Sequence, residues 1–116
     1  MSDEIEIWHN PRCSKSRQTL EILRKRGYEP KVVLYLDKPP SRERISEVLK
    51  MLDIPARKLM RTGEDEYRTQ RLADVKDDDE LIKAMFHTPK LIERPVVIHD
   101  GKAAIGRPPE SVLKIL

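Results

Sequence analysis

Cys13 is the only cysteine of the 116-residue chain, and basic side chains flank it in the sequence. His9, Arg12, Lys15 and Arg17 all lie within four residues of it. Cysteine reacts as the thiolate, which a free thiol forms only in small part at neutral pH. Nearby cations stabilise a thiolate and also attract anionic substrates. This pattern therefore predicts a nucleophilic cysteine that meets an anion.

The elements around Cys13 favour the same chemistry. Residues 4–8 alternate polar and apolar side chains as in a short strand, and residues 14–26 follow a helical pattern that Gly27 ends. The sulfur of Cys13 would then face the unpaired N–H groups and the positive dipole end of a helix. On the residues alone, a buried structural cysteine, which is common, remains the alternative.

A single cysteine also limits what the chain can do by itself. Position 16, where a Cys-x-x-Cys motif would place its second cysteine, is Ser16, so no internal disulfide can form. We therefore expect an external thiol to complete any redox cycle at Cys13. The lack of disulfides favours a reducing compartment, and the acidic start Met1–Glu4 is unlike a signal peptide. We expect a soluble, cytoplasmic protein.

The rest of the chain predicts an α/β protein with one domain over residues 1–116. The apolar run 31–36 indicates a second strand, parallel to the first and more central in the sheet. Residues 41–87 have helical spacing, so an all-helical insertion of about residues 41–88 is expected between strands. One helix is predicted to follow Ser41 as its cap, and two short helices are predicted to begin near Pro55 and Glu64. A further helix is predicted to follow an Asp77–Glu80 capping box. Its buried residues should be Leu81, Ile82, Met85 and Phe86.

After Pro89 the period of the apolar residues changes. Residues 95–98 and 102–105 flank Asp100-Gly101, which is a strong signal for a two-residue hairpin. A final helix is expected to end at Leu116.

Composition narrows the range of partners. Lys and Arg number 23 and Asp and Glu number 20, and a net charge of +3 is too small to predict nucleic-acid binding. No apolar run approaches the roughly 18–20 residues of a membrane helix. His87 and His99 have no metal-ligand partners at useful spacing, so no metal site and no bound cofactor are expected.

The stretch 9–17, HNPRCSKSR, has a histidine, three residues, the cysteine, three residues and an arginine, and Thr19-Leu20 follow it. This stretch closely resembles the active-site signature of glutaredoxin-dependent arsenate reductases. Further matches in the same order occur at residues 35–36, 39–42, 59–61, 93–97 and 106–110.

The resemblance implies a thioredoxin-like fold. That fold has a four-stranded mixed sheet flanked by helices, here with an all-helical insertion between the second and third strands. This agrees with the element order that the residue pattern predicts. The resemblance also implies a cis peptide bond at Arg94-Pro95.

The resemblance further implies roles for individual side chains. Cys13 matches the nucleophile, and His9 matches a residue that assists formation of the thiolate. Arg61, Arg94 and Arg107 match the arginines that bind the oxyanion and stabilise the arsenic–thiolate intermediates. Arginine suits this task because its planar donors and fixed charge fit tetrahedral oxyanions.

The implied activity is the reduction of arsenate to arsenite in arsenic detoxification. The Cys13 thiolate attacks arsenate, glutathione is the co-substrate that reduces the adduct, and glutaredoxin resolves the mixed disulfide.

The chain departs from the best-known members at two points. It has Ser14-Lys15-Ser16 where they have a glycine and a threonine before the serine, and it stops at Leu116 without their C-terminal extension. We interpret it as similar to a shorter subgroup. One alternative is an Spx-like regulator that binds RNA polymerase, against which Ser16 argues. Another is a monothiol protein that exchanges glutathione with disulfides, which would need Cys13 but not the arginines.

Overall fold

The computed structural model describes residues 4–116, which divide into two compact units. Unit 1 covers residues 4–38 and 94–116, and unit 2 covers residues 39–93. Residues 1–3, which carry most of the acidic start noted above, lie outside the described residues. No helix in the described part of the chain is long and apolar enough to cross a membrane.

Unit 1 is built on a four-stranded mixed sheet. Its elements are β1 (Ile5–Trp8), α1 (Ser14–Lys25), β2 (Lys31–Val33), β3 (Val96–His99), β4 (Lys102–Ile105) and a 3₁₀ helix (Pro109–Ile115). The strand order is β2-β1-β3-β4, with β1 parallel to β2 and antiparallel to β3, and β3 antiparallel to β4. This arrangement confirms the predicted mixed sheet.

The core of unit 1 follows from the alternation in β1. Ile5 and Ile7 are both buried and, two residues apart, point to the same face of the sheet. They form a cluster with α1, β3, β4 and the C-terminal 3₁₀ helix through Leu23, Val97, Ala104, Val112 and Ile115. The predicted final helix is thus present only as a 3₁₀ helix, the form that short terminal segments often adopt.

Two predictions about β2 were wrong. The strand has three residues rather than six, and it lies at the edge of the sheet rather than near its centre. Beyond Val33 the chain turns, because the N–H groups of Asp37 and Lys38 both donate to the carbonyl of Leu34. The apolar run 31–36 extends past the end of the strand because Tyr35, which lies in this turn, is buried.

The hairpin between β3 and β4 has the predicted two-residue turn. Asp100 and Gly101 have φ angles of 52° and 75°, in the left-handed region that a type I′ turn requires at both central positions. The turn sets the register in which Val96 lies opposite Ile105.

Unit 2 is helical, as predicted, and lies between β2 and β3 in the chain. Its α-helices are α2 (Arg42–Leu52), α3 (Asp65–Thr69) and α4 (Asp78–His87), and its 3₁₀ helices are Ala56–Leu59, Leu72–Asp74 and Pro89–Leu91. The segment expected after Pro55 is a 3₁₀ helix, and Pro55 is the residue before it rather than part of its first turn. The helix expected over residues 64–72 is present as α3 but ends at Thr69, and Leu72 begins a separate 3₁₀ helix.

The caps of α2 and α4 agree only in part with the expectation. Ser41 Oγ accepts from the Arg44 N–H at 3.0 Å, as a capping serine should. Asp77 also caps its helix, but its carboxylate accepts from the Asp79 N–H rather than from Glu80. Phe86, expected to be buried, is only half-buried and lies beneath the Arg42 guanidinium at 6.0 Å.

Candidate active site

The topology of unit 1 brings several loops to one edge of its sheet. β1 ends at Trp8, which lies opposite Val96, the first residue of β3, and Val96 in turn pairs with Ile105, the last residue of β4. The parallel strand β2 ends at the same edge, where the His9 N–H donates to the Val33 carbonyl at 2.9 Å. This edge therefore collects residues 9–13, 34–37, 94–95 and 106–107.

Cys13 lies at this edge, immediately before α1, as predicted. It is half-buried and has extended backbone angles, and its Sγ accepts no capping hydrogen bond from the first turn of the helix. That turn contains no acidic residue. The sulfur is thus placed at the positive end of a helix without a competing carboxylate in the first turn.

The loop that leads to Cys13 is held by its own side chains. The Cys13 N–H donates to the Asn10 carbonyl at 3.0 Å, and Asn10 Oδ1 accepts from the Arg12 N–H at 3.0 Å. From one turn into α1, Arg17 Nη1 donates to the Pro11 carbonyl at 2.8 Å. Arg17, predicted as part of the cationic setting, therefore also fixes the loop.

His9 is buried and bonded to Ser16. Its Nδ1 lies 2.7 Å from Ser16 Oγ, which also accepts from the Asn10 N–H at 3.0 Å. Ser16 is fully buried, so its hydroxyl proton needs an acceptor, and His9 Nδ1 is the acceptor at hydrogen-bond distance. We assign the proton of neutral His9 to Nε2 on this basis.

The surroundings of His9 also favour its neutral form. Burial is the main cause that lowers the pKa of His9 below its ordinary value, and the positive charges of Arg24 and Arg17 lower it further. A neutral imidazole can take part in proton transfer at neutral pH. The sequence predicted only that Ser16 replaces a second cysteine, and it did not predict the hydrogen bond between Ser16 and His9. Its position seven residues after His9, one turn beyond Cys13, was the available signal.

Arg94 and Arg107 also meet at this edge. Arg107 Nη1 donates to the Arg94 carbonyl at 3.1 Å. Within residues 4–116, the Nε of Arg94 is buried and has no hydrogen-bond partner. A buried guanidinium donor without an acceptor is costly, which suits a position that receives an anionic ligand. The Arg94-Pro95 bond is cis as predicted, and the Arg107-Pro108 bond is cis as well.

Close packing joins these arginines to α1. A Cβ placed on Gly106 would lie 2.6 Å from Thr19 Oγ1 and 2.8 Å from Pro95 Cγ, so only glycine fits between them. The Gly106 N–H also donates to the Pro95 carbonyl at 2.9 Å. The segments that carry Arg94 and Arg107 are thereby held against the helix that begins after Cys13.

Arg61 belongs to unit 2 and has a different environment. Its Nε donates to Glu64 Oε2 at 2.9 Å, and its Nη1 lies 3.9 Å from Glu93 Oε1. Lys90 Nζ adds a second cation, 3.5 Å from Glu64 Oε1 and 3.6 Å from Glu66 Oε1, and Glu66 first and Glu64 second raise the pKa of Lys90. Arg61 is thus already paired with carboxylates.

The site in unit 1 therefore combines a cysteine at a helix start, a buried neutral histidine and a guanidinium with an unused donor. Such a set can bind an oxyanion and attack it with sulfur. Among residues 4–116, no group of His, Cys, Asp and Glu side chains is placed to hold a metal ion.

Comparison with known proteins places this arrangement in context. The ArsC family model matches residues 8–115. An arsenate reductase of Neisseria meningitidis serogroup A is 44% identical over 115 residues, covering 97% of this chain and 98% of the relative. A protein of Escherichia coli K12 described as uncharacterized, YfgD, is 52% identical and covers 100% of this chain and 99% of the relative. The solved structure of an arsenate reductase from Vibrio cholerae has a TM-score of 0.96 at 44% identity, with 100% of both chains covered.

Proposed function

The chain belongs to the ArsC family of arsenate reductases and has its thioredoxin-like fold, and from this premise we propose that it reduces arsenate to arsenite through Cys13. The observation that carries the proposal is the buried, unpartnered Nε–H of Arg94 at the sheet edge that also bears Cys13. A donor in this state supports the binding of an anion beside the nucleophile.

In the first step the Cys13 thiolate attacks the arsenic atom of arsenate. A sulfur–arsenic bond forms, an oxygen leaves as hydroxide, and a proton converts the hydroxide to water. The arsenic remains pentavalent in this adduct. Arg94 and Arg107 offset the negative charge that the oxygens carry as the bond forms.

In the second step glutathione supplies the electrons. Its thiolate attacks Cys13 Sγ, a disulfide forms between the two sulfurs, and the electron pair of the sulfur–arsenic bond passes to arsenic. Arsenic becomes trivalent and leaves as arsenite. Each sulfur loses one electron, so the two-electron change balances.

In the third step the thiol of glutaredoxin attacks the glutathione sulfur of the mixed disulfide. This releases the Cys13 thiolate for the next cycle. The proposal requires outside thiols because Ser16 stands where a second cysteine would be and no other cysteine exists. It thereby also supports the expected reducing, cytoplasmic setting.

His9 and Arg61 have supporting roles in the proposal. His9 is neutral and its Nδ1 accepts from Ser16, which supports a role in handling the proton of Cys13. The role of Arg61 in oxyanion binding is supported by the resemblance alone, because its Nε donates to Glu64 in this structure.

The test is the production of arsenite by the purified chain with arsenate, glutathione and glutaredoxin. We expect turnover by the native protein and its complete loss in Cys13→Ser, with Ser14→Ala as the matched control that keeps the nucleophile. Omission of glutathione or glutaredoxin should also stop turnover.

No arsenite from a folded native chain would contradict the assignment. A native chain that reduces a glutathione mixed disulfide but not arsenate would favour the monothiol exchange protein instead.

A further inference from the structure

A cavity of about 330 Å³ lies in unit 1 beside the loop that carries Cys13. It is within the range of about 300–1,000 Å³ for pockets that take small molecules. Its lining comes from the ends of β1 and β2: His9, Asn10, Pro11, Arg12, Leu34, Leu36 and Asp37. Cys13 itself ends the turn whose first three residues line the cavity, since its N–H donates to the Asn10 carbonyl.

The walls of this cavity carry opposite charges. Arg12 supplies a guanidinium and Asp37 a carboxylate, and both residues are exposed. Within residues 4–116 the structure gives neither side chain an ion-pair partner, although both line the same cavity. A cation and an anion that line one cavity without pairing are complementary to a ligand that itself carries both charges.

The cavity also has an apolar part. Leu34 and Leu36 line it and are 42% and 44% exposed, which is high for leucine. A ligand covering them would remove apolar surface from water. The buried ring of His9 forms another part of the lining and, with Nδ1 bonded to Ser16, offers Nε2–H as a donor.

We propose that this cavity binds the thiol co-substrate, as a zwitterionic thiol of small-peptide size, so that its sulfur reaches Cys13. This inference rests on the proposed function and adds the place where the electron donor docks. One carboxylate of the thiol pairs with Arg12, its ammonium pairs with Asp37, and its aliphatic part lies on Leu34 and Leu36.

The charges distinguish this ligand from the oxyanion. Asp37 repels an arsenate ion, which carries only negative charge, whereas it attracts the ammonium of a zwitterion. The oxyanion is assigned to Arg94 and Arg107, which precede β3 and follow β4. The thiol is assigned to the loops that follow β1 and β2, so that the two reactants approach Cys13 from different strands.

Binding is tested without any reaction. The Cys13→Ser chain, labelled with nitrogen-15, is titrated with S-methylglutathione, whose blocked sulfur cannot react. We expect saturable shifts of the backbone amides of residues 9, 10, 12 and 34–37. The same titration with 2-(methylthio)ethanol, which has no charge, should leave these amides unchanged.

Removal of each charge from the lining is tested by kinetics. Arg12→Gln and Asp37→Asn should each raise the KM for glutathione about threefold, the size expected for one exposed ion pair, and together about tenfold. In each variant the KM for arsenate should change less than the KM for glutathione, because the oxyanion is assigned to Arg94 and Arg107. Arg26→Gln and Glu29→Gln, which alter exposed charges outside the cavity, are the matched controls and should leave both constants unchanged.

The outcomes separate this inference from the proposed function. Amide shifts at other residues, equal shifts with the uncharged thioether, or an unchanged KM for glutathione in an active enzyme would overturn the docking site. Saturable shifts at the named amides in a chain that produces no arsenite would support the site while contradicting the arsenate assignment.

Discussion

The arginines of the two units differ in whether their N–H donors have acceptors within the protein. In unit 1, Arg94 has a buried Nε–H without a partner among the described residues. In unit 2, Arg61 donates to Glu64, and Arg57 directs its guanidinium at protein oxygens: the Tyr67 hydroxyl and the carbonyls of Leu72 and Val75. Arg94, Arg61 and Arg57 thus differ in how many of their N–H donors are bonded to other groups of the protein.

We expect this difference to separate an arginine that binds a ligand from one that holds the chain together. A guanidinium that donates to neutral oxygens of the protein holds the chain together, as Arg57 does with the Tyr67 hydroxyl and the carbonyls of Leu72 and Val75. A guanidinium with a buried unused donor gains most from a ligand that supplies an acceptor. Arg61 lies between these cases, because an anion would have to compete with its carboxylate partners.

The largest expected effect is on catalysis, and it tests this ranking directly. Arg94→Gln should lower kcat/KM for arsenate about 100-fold, the size expected when one preorganised donor to a developing oxyanion is removed. Arg61→Gln should lower it less, by about tenfold, because Glu64 already offsets part of the Arg61 charge. Steady-state assays of arsenite formation measure both.

Arg26→Gln, an exposed arginine at the end of α1, is the control and should retain full activity. A loss for Arg61→Gln equal to or larger than that for Arg94→Gln would break the ranking, and with it the argument from unused donors.

A smaller effect is expected on stability in unit 2. Arg57→Met keeps much of the side-chain bulk but leaves the Leu72 and Val75 carbonyls without their donor, so the free energy of unfolding should fall by about 2 kcal/mol. Arg68→Met removes one exposed ion pair with Asp65 and should change it by less than about 0.5 kcal/mol. Urea denaturation compares the two, and equal losses would remove the structural role of Arg57.

The smallest effect is a pH dependence of stability from His9. The pKa of His9 is lowered in the folded state from 6.5, so well above pH 6.5 the residue is neutral in both states and does not affect the free energy of unfolding. As the pH falls below that value the unfolded state takes up the proton first, and stability drops by at most about 1.4 kcal/mol per pH unit. The drop ends once the pH passes the lowered pKa.

This dependence is measured by urea denaturation between pH 7.5 and 5. His9→Asn should show a shallower slope than the native chain over that range. Parallel slopes would show that His9 is not held neutral by burial.

Several features were predictable because local rules determine them. The Asp100-Gly101 turn requires two residues with positive φ, the Ser41 cap needs a short hydroxyl side chain, and Cys13 precedes a helix that its periodicity marks. The cis bond at Arg94-Pro95 followed from resemblance, and the structure contains it.

Other features depend on contacts distant in the sequence and were missed. The position of β2 at the edge depends on which strand pairs beside β1, which the apolar run 31–36 does not encode. The partners of the arginines are equally hidden, since Arg57 meets Leu72 and Val75 across 15 and 18 residues. Resemblance implies the same role for Arg61 and Arg94, and it does not show that their hydrogen bonding differs.

The shortness of β2 has a consequence for self-association. An exposed edge strand with apolar side chains is a template on which other chains can add strands and aggregate. Here the strand ends after three residues and begins with exposed Lys31. The turn at Leu34 then uses the N–H groups of Asp37 and Lys38 internally. The exposed leucines of this edge are thus available to a small ligand while little backbone is offered to a second chain.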